Sequence, residues 1–171
     1  MRFTKSVPLV ALLSVSAAAG GVSISQNVEA GDRCRHVRAH VHTTLVSAGC
    51  QSPVGICTTG TVDGGPFEGA TTFLTLNAAP SAGMPGTEPA ANLSYSGTFT
   101  VTQRSGTFVA SDLGVLDPGH AAFTEMTRSV SGTGRFENPT GTLFISGQIV
   151  ENNTAFDGFI TGELCTDRGD D

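Results

Sequence analysis

An all-β chain, folded as an antiparallel closed barrel of about eight strands, is the class this sequence predicts, and three observations predict it. Segments of about ten residues alternate apolar and polar side chains. Turn signals built on glycine and proline separate them at short spacing, with 22 Gly and 8 Pro among 171 residues. No segment joins helical spacing of apolar residues to helix caps. Several strands are apolar on both faces. That suits a barrel with an apolar lumen whose outside is partly covered by a neighbour, so a homo-oligomer is expected.

The elements follow in order. Over 34–46, Val37, Ala39, Val41, Thr43 and Leu45 share one face, and His36, Arg38, His40 and His42 share the other. Residues 47–60 are bounded by cysteines and rich in turn formers. A strand over 67–77 carries Phe73, Leu74 and Leu76. Residues 78–91 hold Pro80, Pro85 and Pro89 and form the one long loop. The strand over 92–104 puts Leu93, Tyr95, Phe99 and Val101 on one face. Ser105-Gly106 turns into a strand over 107–116, and Asp117-Pro118-Gly119 turns out of it. Strands over 120–130, 140–150 and 155–166 complete the set.

The N-terminus reads as an export signal. Arg2 and Lys5 form a basic start, and the apolar stretch over 7–19 is short for a bilayer span. Small residues precede Gly20 and again Gly31. The second site is preferred, because polar residues from Ser23 onward suit a leader tail. The expected organisation is a signal peptide over 1–30 and one barrel domain over 31–171, secreted or periplasmic, with no membrane span in the mature chain. Ser47-Ala48-Gly49-Cys50 resembles a lipobox but lies far from the apolar stretch. The net charge of −6 and the single lysine, Lys5, argue against nucleic acid as a partner.

Four cysteines, Cys34, Cys50, Cys57 and Cys165, follow the leader. An even number in an exported chain argues for two disulfides, with three connectivities open. Zinc would want close Cys-x-x-Cys pairs, and none occurs. Cys50 and Cys57 bracket Pro53 and Gly55 and are paired across a turn. Cys34 then joins Cys165, first strand to last, which are neighbours in a closed barrel.

An internal echo runs through the chain. Gly65-Pro66-Phe67-Glu68-Gly69-Ala70-Thr71 matches Gly134-Arg135-Phe136-Glu137-Asn138-Pro139-Thr140 as Gly-x-Phe-Glu-x-x-Thr. A glycine bend that folds one Phe inward can turn a barrel corner, so Phe67 and Phe136 are expected to be buried.

Residues 131–147, SGTGRFENPTGTLFISG, resemble the GGTGRFxxATGxLxxxG signature of allene-oxide-cyclase-like and dirigent-like barrels. Gly106-Thr107-Phe108, Asp112-Leu113-Gly114-Val115 and the closing Phe159-Ile160-Thr161-Gly162-Glu163-Leu164-Cys165 are similar to exported bacterial members. The resemblance spans about 65–165. It implies an eight-stranded antiparallel barrel with an apolar cavity, often in dimers or trimers, which steers reactive intermediates largely by shape. No catalytic residue of the plant cyclases matches a position here, and 34–60 departs from the plant patterns.

Candidate chemistry is sparse. His40-x-His42 is a spacing by which a strand offers two imidazoles to one ion, with His120 as a conceivable third. Arg38 lies on the same face and repels a cation, so no metal is expected. No Gly-x-Ser-x-Gly elbow is present. Glu125 shares the parity of Phe123 and is the candidate acid or base; Arg128 has the opposite parity. Tyr95, Phe99 and Phe123 are the candidate ligand-binding side chains. The function expected is an exported barrel that binds an apolar small molecule in its lumen, without a cofactor. One alternative is a cyclase or isomerase of the allene oxide cyclase type, and a second is a structural surface protein. A filled lumen with no cavity favours the third; a lumen with no buried ionisable group favours binding over acid–base chemistry.

Overall fold

A computed structural model describes residues 33–81 and 92–167. The expected leader over 1–30 lies outside the described residues, as does most of the expected long loop. The chain is an eight-stranded antiparallel barrel, each strand bonded to the next and β8 returning to β1. The strands are β1 (Arg33–Val46), β2 (Cys57–Asp63), β3 (Gly69–Pro80), β4 (Leu93–Gln103), β5 (Gly106–Asp117), β6 (Ala122–Gly132), β7 (Thr140–Val150) and β8 (Ala155–Thr166).

Two expectations need correction. Residues 57–60 are not loop but the start of β2, whose Thr-rich sequence CTTGTVD carries too few apolar side chains to announce a strand. Its backbone is bonded by β1 on one side and β3 on the other, and that pairing makes it one. The loop expected from residue 78 starts later, because Ala78, Ala79 and Pro80 still pair with Tyr95, Ser94 and Leu93.

Alternation holds along β1. Val37, Ala39, Val41 and Thr43 are buried and face the lumen, while His36 and Arg38 are exposed. Leu45, at the rim, leaves the pattern, at 42 % exposure, as does Arg35 at the other end of the strand. Outside, Leu113, Met126 and Phe144 are cross-strand partners on β5, β6 and β7. They form an exposed apolar row, with Phe159 also exposed on β8.

The two ends of the barrel differ. One end is plugged. The echoed segments fold as matching 3-10 turns, Gly65–Phe67 and Gly134–Phe136, four strands apart in the barrel. Gly65 and Gly134 both take left-handed backbone, φ +60° and +62°, which glycine adopts without cost. A Cβ on Gly134 would stand 2.0 Å from the Ser105 carbonyl oxygen, so the corner admits no other residue. Each turn sends its Phe inward. Phe67 and Phe136 stack at 5.8 Å between ring centroids, and Phe108 packs against both at 4.8 and 5.8 Å. All three rings are at most 1 % exposed, and burial of each contributes roughly 1.5–3 kcal/mol.

The other end is the mouth, where the β1–β2, β3–β4, β5–β6 and β7–β8 connections gather. Two disulfides pin the structure, one at each end. Cys34–Cys165 joins directly opposed residues of β1 and β8 at the plugged end. Cys50–Cys57 closes the β1–β2 connection at the mouth. Both pairs are those expected, and no described cysteine is free. Two disulfides place the folded chain in a non-reducing environment. No helix of the described residues is long and apolar enough to cross a membrane.

Candidate functional site

The lumen between plug and mouth is not filled. A cavity of about 90 Å³ opens toward the mouth, lined by side chains from all eight strands or their ends, Phe73, Leu93, Phe99, Leu116, Phe123 and Phe156 among them. Roughly 10–15 Å³ on this measure holds one water, so the space suits a ring or a short chain. Tyr95, Phe99, Phe123 and Glu125, the four residues singled out from the sequence, all line it.

Register explains the arrangement. Leu93, Leu116 and Phe123 are Cα partners across β4, β5 and β6 and form the rim of the wall. One step deeper, Tyr95, Gly114, Glu125 and Ile145 are partners in a second row. A third row holds Gly97, Asp112 and Thr127. Gly114 makes the second row possible. A Cβ there would stand 2.4 Å from Tyr95 Cζ. Because it is absent, the phenol lies across β5 and reaches β6. Tyr95 Oη donates to Glu125 Oε1 at 2.5 Å.

Beneath this pair lies a second carboxyl. Asp112 is 1 % exposed and accepts from Thr127 Oγ1 at its Oδ2, 3.0 Å away. No N–H or O–H of the protein reaches its Oδ1. The Asp112 carboxyl also meets that of Glu125, and two carboxyls hydrogen-bond only with a proton between them. A proton held on Glu125 therefore satisfies the buried pair. Burial, and then the Asp112 charge, push Glu125 well above the usual carboxylate range. Burial also raises Asp112, to about 6. Burial and then the Glu125 charge raise Tyr95, which stays a phenol. The surface Glu125 retains faces the cavity, so the site presents a carboxylic acid to an apolar space.

The pair makes stability depend on pH with a definite sign. The folded carboxyls keep protons that the unfolded chain gives up near pH 4, so stability falls as pH rises from about 4, through about 6 for Asp112 and on through the raised folded value of Glu125. Asp112→Asn removes one of the two ionisations while keeping the hydrogen-bonding shape. It should leave the thermal midpoint near pH 4 little changed and raise stability at pH 7.5 by about 1–3 kcal/mol, since one pKa unit is worth roughly 1.4 kcal/mol. Melting curves at both pH values check this; a variant less stable at pH 7.5 would show Asp112 held by favourable contacts in its charged form.

The histidines are elsewhere. His40 Nε2 and His42 Nδ1 lie 3.1 Å from the two oxygens of Asp157 on β8, on the outer wall. Hydrogen bonds from His40 and His42 hold Asp157 below the usual carboxylate range. His120 does not join them: it sits in the β5–β6 turn, bonded to Asp117 at 2.8 Å. Among the described residues, the one group of three ligand atoms close enough for an ion is Cys34, Glu163 and Cys165, and its cysteines are spent in a disulfide.

Asp112, Thr127 and Gly114 were not picked out as site residues from the sequence. Parity could have found the first: Asp112 shares a face with Phe108 and Ala110, both fully buried, and an acid on an apolar face is a signal. Fold and site together define a small disulfide-pinned β-barrel with an apolar lumen and an acid on its wall. Comparison with protein-family models, curated proteins and solved structures gave no match.

Proposed function

We propose that this protein is an exported barrel that holds a small apolar molecule in its lumen. The observation that carries this is the cavity itself: about 90 Å³, walled largely by aromatic and aliphatic side chains near the mouth. A packed lumen would have suited a structural protein; an apolar hollow with a few polar groups at one point is the usual form of a small-molecule site. Export is supported by the two disulfides and by the N-terminal leader pattern. The barrel resemblance noted in 131–147 supports the same reading.

One feature favours a second reading, a cyclase or isomerase acting on a reactive apolar intermediate. Glu125 is a carboxylic acid facing the cavity. It could protonate an oxygen of a substrate held there, and the Tyr95 hydroxyl would stabilise the carboxylate left behind. The lumen would then supply orientation.

A neutral naphthylamine fluorophore tests both. It should bind saturably to the oxidised protein, and Phe99→Trp should weaken it at least about ten-fold by filling the space. Glu125→Gln should keep binding and, under the second reading alone, abolish turnover of an apolar epoxide. Absence of saturable binding to the folded protein would remove both readings.

A further inference from the structure

We infer that the lumen selects an uncharged ligand, an apolar molecule ending in a hydroxyl or carbonyl oxygen, and excludes carboxylates and other anions. This rests on the lumen-binding reading above and adds the chemistry of the ligand's polar end.

Three observations meet here. Among the described residues, no Lys, Arg or His lines the cavity. His40 and His42 are engaged by Asp157 on the outer wall, and His120 is bonded to Asp117 in an exposed turn. A ligand anion would find no cation inside. Second, among the described residues the only ionisable side chains on the cavity wall are Tyr95 and Glu125, and Asp112 stands behind Glu125. All three either stay neutral or become negative. Third, Asp112 Oδ1 is buried without an N–H or O–H donor, so the pair already lacks donors and cannot spare one for an anion without losing its shared proton.

An anion entering this space gives up its water in a medium of low dielectric and meets a negative carboxyl at close range, and both effects oppose it. A neutral oxygen meets neither. A hydroxyl can donate to a Glu125 oxygen without disturbing the proton shared with Asp112, and an uncharged carbonyl costs far less to desolvate than an anion. The rest of the molecule lies against Phe99, Phe123 and Phe156.

The chain carries its own reporter. Tyr95 is the only tyrosine, and there is no tryptophan, so tyrosine emission comes from the cavity wall alone. The oxidised full-length protein at pH 7.5 is titrated with 2-heptanone, 1-heptanol and heptanoate, which share a chain and differ at the head. Tyr95 emission and displacement of the naphthylamine fluorophore are followed. The ketone and the alcohol should bind, and heptanoate should bind at least ten-fold more weakly. In Asp112→Asn/Glu125→Gln, or in Asp112→Asn alone should the double variant not fold, the handicap of heptanoate should shrink several-fold. Heptanoate binding as tightly as the ketone, or a handicap unchanged in a folded variant, overturns the selection while leaving lumen binding intact. No saturable response to any of the three, and none to the fluorophore, overturns lumen binding itself.

Discussion

Replacing Cys34 and Cys165 by serine should lower the unfolding free energy by about 4 kcal/mol without altering the folded barrel. The bridge joins residues 131 positions apart, almost the whole described chain. Breaking it frees the unfolded chain far more than the folded one, because β1 and β8 remain bonded from Arg33 opposite Thr166 to Thr44 opposite Ala155. The chain-entropy account assigns roughly 4–5 kcal/mol to a loop of this length and only about 2 kcal/mol to the seven-residue separation of Cys50 and Cys57. Urea unfolding of the two double-serine variants measures the contrast. Equal losses would mean that strain or solvation, rather than loop length, governs these bridges. The Cys50–Cys57 variant should show its effect at the mouth instead, since Ile56, one residue before Cys57, lines the cavity.

Phe136→Ala should cost about 3–5 kcal/mol, the range for a core aromatic whose neighbours cannot close over the gap. Its ring is 1 % exposed and stacks on Phe67, and the backbone around it is set by a glycine corner that cannot shift. Phe144→Ala is the matched control. That ring is 52 % exposed on the outer wall, and its loss should cost under about 1 kcal/mol in the isolated chain. A Phe136 variant with an unchanged thermal midpoint would place the plug elsewhere. Since the plug closes the floor of the lumen, the folded Phe136 variant should also bind the naphthylamine fluorophore less selectively.

Much of the fold was legible because its determinants are local and periodic. Alternation of Val37, Ala39, Val41 and Thr43 against His36 and Arg38 marks an inner and an outer face whatever lies across the strand. The Gly-x-Phe-Glu-x-x-Thr echo marks both corners because only glycine accepts that backbone. The lumen side chains followed from parity: Tyr95 with Phe99, and Glu125 with Phe123. Strand β2 escaped notice because its stability comes from two neighbours and not from its own side chains, and the end of β3 was obscured by Pro80.

Alternation and turn chemistry, then, pointed by themselves to a barrel and to the inward face of most strands, and barrel closure joined Cys34 to Cys165. Tertiary structure alone decided what the inward residues do to one another. Sequence parity cannot say which inward residues share a row, because that depends on the register between strands. Register sets Tyr95, Gly114 and Glu125 side by side on three strands and lays the phenol across the glycine onto the acid. It puts Asp112 one row beneath, and it sends His40 and His42 to Asp157 rather than to His120. The meeting of two carboxyls, one on β5 and one on β6, is a property of that register, and no single strand encodes it.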